Sequence, residues 1–183
     1  MAPGVSRVAC ALYDASDGTL KTFINSTRNG TAIRGYAYRL EDSESLSYLA
    51  RTGELRLLDD IQSTLQPTTR HSQYVLSEGY QSSFTVPMYH QHEFLGFLFY
   101  DSRVRGTFSP YVQRELQLYS SLITMAVAAE LIAVRSIVGS VSIARDFAQL
   151  RDLETGAHLE RMARYSRLVA LALVDDLDLA DEY

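Results

Sequence analysis

The chain has 183 residues, 46% of them apolar and 21% charged, and a formal net charge of −5. That apolar share supports a buried core and excludes a disordered chain. The acidic balance, with Lys21 the single lysine and the arginines scattered, argues against a nucleic-acid binder.

Cys10 is the single cysteine, which excludes an intrachain disulfide and a cysteine-based zinc site; a small buried strand residue is the expected role. No run of 18 uncharged apolar residues occurs, so no membrane span is expected. Met1 leads straight into strand-like sequence with no signal peptide pattern. The expectation is a soluble, cytoplasmic protein.

In chain order, Val5–Tyr13 reads as a strand and Asp14–Gly18 as a turn. Leu20–Asn25 reads as a second strand with Leu20, Thr22 and Ile24 on one face and Lys21, Phe23 and Asn25 on the other. Ser26–Tyr38 is polar and reads as a loop. Ser43 or Ser45 caps a helix carrying Leu46, Leu49 and Ala50, and Gly53 ends it. Leu55–Leu58 is a short extended stretch, followed by a turn at Asp59-Asp60. Residues 62–79 show no clear period and read as a long loop with room for a short helix, a pattern that is often functional.

Gln81–Met88 and Phe94–Tyr100 read as two strands around the polar turn Tyr89–Glu93, the second apolar enough for the middle of a sheet. His90 and His92 lie in that turn, where solvation is a better account than metal or haem binding. Ser109 caps a helix with Pro110 at its first position. From Tyr111 the helical pattern is long, with Leu116, Tyr119, Ile123, Ala126 and Val127 on one face. Val134, Ile137, Val141, Ala144 and Ala148 continue it as a linker helix suited to pairing with a second copy. A break is expected near 150–152. Beyond it, Glu154 and His158 sit four residues apart, on one face of a further helix, where a carboxylate and an imidazole can hold one metal ion.

Two resemblances follow from particular motifs. Ser45–Ile61 (SLSYLARTGELRLLDDI) and Gly79–Pro110 (GYQSSFTVPMYHQHEFLGFLFYDSRVRGTFSP) resemble the GAF family of small-molecule sensor domains, over roughly residues 5–135. This implies an α+β fold, an antiparallel sheet with packed helices. It also implies a ligand pocket between the sheet and the elements above it, which points to Tyr36, Tyr38, Arg70, His71, Tyr74 and Tyr80. The GAF ligand itself is open, and so is a dimerising module with none. The chain lacks the cysteine of bilin-attaching members, the several cysteines of free methionine sulfoxide reductases, and the Asn-Lys-X-Phe-Asp-Glu pattern of mammalian cyclic-nucleotide binders.

Arg151, Asp152, Glu154, Thr155, Gly156, His158, Arg161 and Tyr165 resemble the opening of the HD-GYP domain of bacterial metal-dependent cyclic di-GMP phosphodiesterases. The resemblance implies that Glu154 and His158 belong to a divalent iron or manganese site in the parent domain. The family's His-Asp pair and Gly-Tyr-Pro loop do not occur before Tyr183, so the chain looks like a sensory front end, inactive by itself. The expected organisation is a GAF-like domain over 1–135, a linker helix over 136–150 and the start of an HD-GYP domain over 151–183. The expected partners are a second copy of the chain and an unknown small ligand, with cyclic di-GMP only in the full-length protein.

Overall fold

A computed structural model describes residues 4–27, 37–65, 70–151 and 153–173. The chain divides into two units, Met1–Ala126 and Val127–Tyr183. The first is built on six antiparallel strands: β1 (Arg7–Asp14), β2 (Thr19–Thr27), β3 (Ala37–Arg39), β4 (Arg56–Leu58), β5 (Ser82–His90) and β6 (Glu93–Ser102). Their spatial order is β3-β2-β1-β6-β5-β4, so the chain termini of the sheet meet at its centre.

β6 is the central strand and reads as such. Every residue from Leu95 to Ser102 is buried, which is what a continuous apolar run between two neighbours requires. Helix α1 (Glu44–Thr52) packs on one face of the sheet through Leu46 and Leu49, against Ala9, Ala11, Leu20, Phe97 and Phe99. Ser43 is its cap, accepting from the Leu46 N–H at 3.4 Å, and Gly53 ends it in the left-handed conformation at φ 75°. Short helices α2 (Ile61–Thr64) and α3 (Arg70–Ser77) occupy the stretch that shows no period. There Ile61, Val75 and Tyr80 form a second small core with Leu58, Leu65 and Leu76.

The hairpin turn between β5 and β6 is Gln91-His92, both at positive φ (46° and 70°). A two-residue loop with both φ values positive matches the twist of the flanking strands, and it accounts for these histidines without a ligand. Gly96 answers to a harder constraint. At φ 142°, a Cβ there would lie 1.9 Å from the Ala11 carbonyl oxygen, so only glycine lets β6 close onto β1.

Three expectations need correction. Residues 26–38 are not all loop: β2 continues to Thr27, and Ala37–Arg39 adds an edge strand. The simple alternation of 20–25 also fails. A bulge makes Cys10 pair with Ile24 but Ala11 with Thr22. The extra residue flips the side-chain pattern, so Asn25 joins Leu20 and Thr22 on the α1 face while Ile24, 56% exposed, joins the other.

The third concerns helix α4 (Pro110–Arg151). Leu116 is buried as expected, but Tyr119 is 58% exposed and Ser120 is buried beside it. The Ser120 hydroxyl is hydrogen-bonded to that of Tyr100 at 2.7 Å. A satisfied polar pair rotates the inward face of the helix by one residue from what apolar spacing suggests.

The second unit holds the rest of α4 and α5 (Leu153–Leu173). The break expected near 150–152 falls on residue 152, which lies outside the described residues. Arg145 approaches Glu160 at 4.0 Å, and Glu160 also accepts from Arg164 at 3.1 Å. Val134, Ile137, Val138, Val141 and Phe147 on α4, and Met162, Tyr165, Leu168 and Val169 on α5, are all about half or more exposed.

Candidate functional site

Strand register places a group of polar side chains on the α1 face of the sheet, beyond the apolar patch that α1 covers. Arg7 on β1 is opposite Asp101 on β6 and opposite Thr27 on β2. Residues opposite one another point to the same face, so the three side chains converge. Arg7 Nη1 donates to Asp101 Oδ2 at 2.5 Å, with side chains only 4% and 2% exposed. Arg7 Nε donates to Asn25 Oδ1 at 3.2 Å. The Tyr80 ring, itself buried, lies 6.0 Å from the guanidinium carbons of both Arg7 and Arg103, a spacing at the outer range of cation–π attraction.

Arg56 on β4 reaches the same face. It is opposite Thr85 of β5, whose own partner on β6 is Phe99. Its Nη2 donates to Thr85 Oγ1 at 3.2 Å and its Nη1 to Ser45 Oγ at 2.5 Å, at the start of α1. Burial pulls the Arg56 guanidinium below the usual arginine range, and the nearby Tyr38 oxygen and Asp101 carboxylate oppose that pull. Tyr38 stands opposite Leu20 on the edge strand β3 and packs on the α1 core.

Three polar atoms of this group are buried and without a hydrogen-bond partner among the described residues: Asn25 Nδ2, Thr27 Oγ1 and Arg56 Nε. Each such atom costs roughly 1–3 kcal/mol of lost solvation. A cluster of them on one face is the kind of feature that a structural role alone does not explain.

The residues expected at the pocket distribute as follows. Tyr38 and Tyr80 border this polar group. Arg70, His71 and Tyr74 lie on α3, with side chains outside the described part, and Tyr36 lies outside the described residues altogether. The sequence reading passed over Arg7, Asn25, Arg56, Thr85 and Asp101. A signal existed for two of them. Arg7 alternates with the apolar Val5 and Ala9, and Asp101 ends the apolar run Phe94–Tyr100, positions where a charge survives only if paired.

Cys10 is on the opposite face, opposite Leu98 and buried. Burial pushes its thiol up to about 12, so it offers no nucleophile to the α1 face. Glu154 and His158 both lie on α5 at the expected spacing; His158 is exposed, and the Glu154 side chain is outside the described part. No group of three or more His, Cys, Asp or Glu side chains gathers among the described residues. Two donors from one helix do not fit a complete iron or manganese sphere, so no step is assigned to a metal here.

No protein-family model and no curated protein matches the sequence. Solved structures do. The GAF domain of a two-component sensor histidine kinase from Bacillus halodurans is similar at TM-score 0.59 and 15% identity, over 70% of this chain and 84% of that one. The phycocyanobilin-bound GAF domain of a cyanobacterial phytochrome is similar at TM-score 0.55 and 20% identity, over 69% and 76%. A type II free methionine-R-sulfoxide reductase from Thermoplasma acidophilum is similar at TM-score 0.54 and 20% identity, over 69% and 81%. At these identities the likeness shows the fold: this is a GAF-like α+β sheet with packed helices.

Proposed function

We propose that the chain is a sensory and regulatory module. A small molecule binds on the α1 face of the GAF-like sheet, and α4 carries the effect to a C-terminal HD-GYP domain that hydrolyses cyclic di-GMP. The observation that carries this reading is the polar group around Arg7, Asn25, Arg56 and Asp101, with three buried atoms that lack a partner among the described residues, on a fold shared with a bilin-binding domain and a sensor kinase domain. Fold alone does not name a ligand; the group on the α1 face supports one. With Cys10 on the other face of the sheet, binding is non-covalent. The divalent metal, iron or manganese, belongs to the complete HD-GYP domain, where Glu154 and His158 would be two of its ligands.

The module is cytoplasmic and works as a homodimer through α4. The Pro110–Ala148 part of α4 is long and apolar enough to cross a membrane by length and composition alone. Arg135 stands within it, however, and a charge of that kind at a bilayer centre costs about 2.5–3.5 kcal/mol. Pairing of two α4 helices covers the apolar residues and leaves Glu130 and Arg135 in water, which favours a dimer over a span.

The test compares hydrolysis of cyclic di-GMP, with manganese or ferrous ion, by residues 1–183 and by a form carrying a complete HD-GYP domain after them. The short form should be inactive and the long form active, with a rate that changes on Asn25→Asp substitution in the distant sheet. Turnover by residues 1–183, or a long form indifferent to the sheet, would overturn the proposal.

A further inference from the structure

Over Pro110–Ala126, the part of α4 in the first unit, the amphipathic sides of the helix are reversed. Its buried positions are Leu116 and Ser120, and on the same side Gln113, Gln117, Ile123 and Thr124 are half-buried. Polar side chains thus supply much of the inward side. They are tolerated there because they are hydrogen-bonded: Ser120 to the Tyr100 hydroxyl, Gln113 to the Phe108 carbonyl and Thr124 to the Ser120 carbonyl. The other side carries Tyr111, Leu118, Tyr119, Leu122 and Met125, which are 58–70% exposed. A helix with one side on a core and the other in water arranges these types the opposite way.

The pattern of the exposed side names what covers it. Tyr111, Leu118 and Met125 recur every seven residues, with Leu122 between the last two. That is the narrow repeat of a coiled-coil seam, which a second helix of the same repeat fills. No charged residue occurs from Leu116 through Ala126, so nothing there repels a copy of the same helix or selects an unlike partner. The five exposed side chains offer on the order of 600 Å² per copy, which reaches the lower bound of about 1,200 Å² in total for a specific interface. A bilayer is a poorer occupant, because Ser120 ties the same turns of helix to Tyr100 of the sheet.

We propose that a second copy of the chain packs its own α4 against this outward face, so that each helix has its sheet on one side and its counterpart on the other. The inference rests on the homodimer reading above and names the face that forms the contact.

Sedimentation velocity of the full 183-residue chain over a range of concentrations gives the dimer dissociation constant, and circular dichroism confirms that each variant is folded. Leu122→Glu with Met125→Glu should raise that constant at least about a hundredfold. Leu118→Lys is an independent variant of the same face and should weaken the dimer as well, which keeps the test open should L122E/M125E fold poorly. Leu122→Ile with Met125→Leu should keep the dimer. Ile137→Glu with Val141→Lys, outside the seven-residue repeat, should have an effect about tenfold smaller than L122E/M125E.

A dimer that survives both L122E/M125E and L118K would overturn the assignment of the face; if the 137/141 variant dissociates it, the homodimer reading still stands. A wild-type chain that is monomeric at high concentration would overturn both. Flotation of that monomer with neutral phosphatidylcholine vesicles, lost in L122E/M125E, would give the face to a lipid surface instead.

Discussion

The sheet and the last two helices handle apolar side chains in opposite ways. In β6, Leu95 through Tyr100 are buried without exception. On α5, every described side chain is exposed apart from the half-buried Glu160, although Leu159, Met162, Leu168 and Val169 recur at helical spacing. The central strand of the sheet buries its own apolar side chains, while α5 leaves its described ones exposed, the kind of surface that association would cover. Substitutions in the sheet should therefore change folding stability, and substitutions in the helices should change association.

The largest effect is expected at the buried ion pair. Asp101→Ala takes from buried Arg7 the carboxylate that offsets its charge, a loss that typically costs about 3–5 kcal/mol; urea unfolding measures it, and a loss under about 1 kcal/mol would show that water reaches Arg7. Cys10 gives a pH-dependent effect of the same sign. In the fold its thiol stays neutral up to about 12, against an ordinary value of 9.0. Above pH 9 the unfolded chain loses the proton and the folded one keeps it, so stability falls as pH rises from 9 toward 12. Cys10→Ala should flatten that fall, read from unfolding curves at pH 8 and 10.5.

Removing the Ser43 cap is a smaller change. Ser43→Ala should cost about 1 kcal/mol, measured the same way. Smallest in folding stability, but decisive for association, is Ile137→Glu with Val141→Lys on α4. Stability of the sheet should move by less than about 0.5 kcal/mol, while light scattering should report a shift from dimer toward monomer. A wild-type chain that is already monomeric at high concentration would remove the basis for pairing through α4. Amide exchange sharpens the same contrast, with Leu159–Leu173 exchanging far faster than Phe97–Tyr100.

Much of the fold was legible in particular residues. The Ser43 and Gly53 ends of α1, the tight turn before Glu93 and the Ser109-Pro110 start of α4 all rest on local chemistry, in which a cap, a turn or a stop acts within four residues of itself. Cys10 as a buried strand residue was legible for the same reason. The site was less so. Tyr38 and Tyr80, named from the family resemblance, lie beside the polar group, but Asn25 was assigned to the wrong side, because the bulge opposite Cys10 is a property of two paired strands and leaves no mark in either alone. Tyr119 and Ser120 exchanged roles because a hydroxyl on β6, distant in sequence, supplies the partner that makes a buried serine tolerable.

By itself, then, the sequence determined the elements whose causes are local: strand and helix periods, caps, turns and the spacing of Glu154 and His158. Only the tertiary structure decided which polar side chains meet. Arg7 and Asp101 are 94 residues apart and Arg56 and Thr85 are 29 apart. Their convergence is set by strand order and register, which depend on how the whole sheet buries its apolar faces.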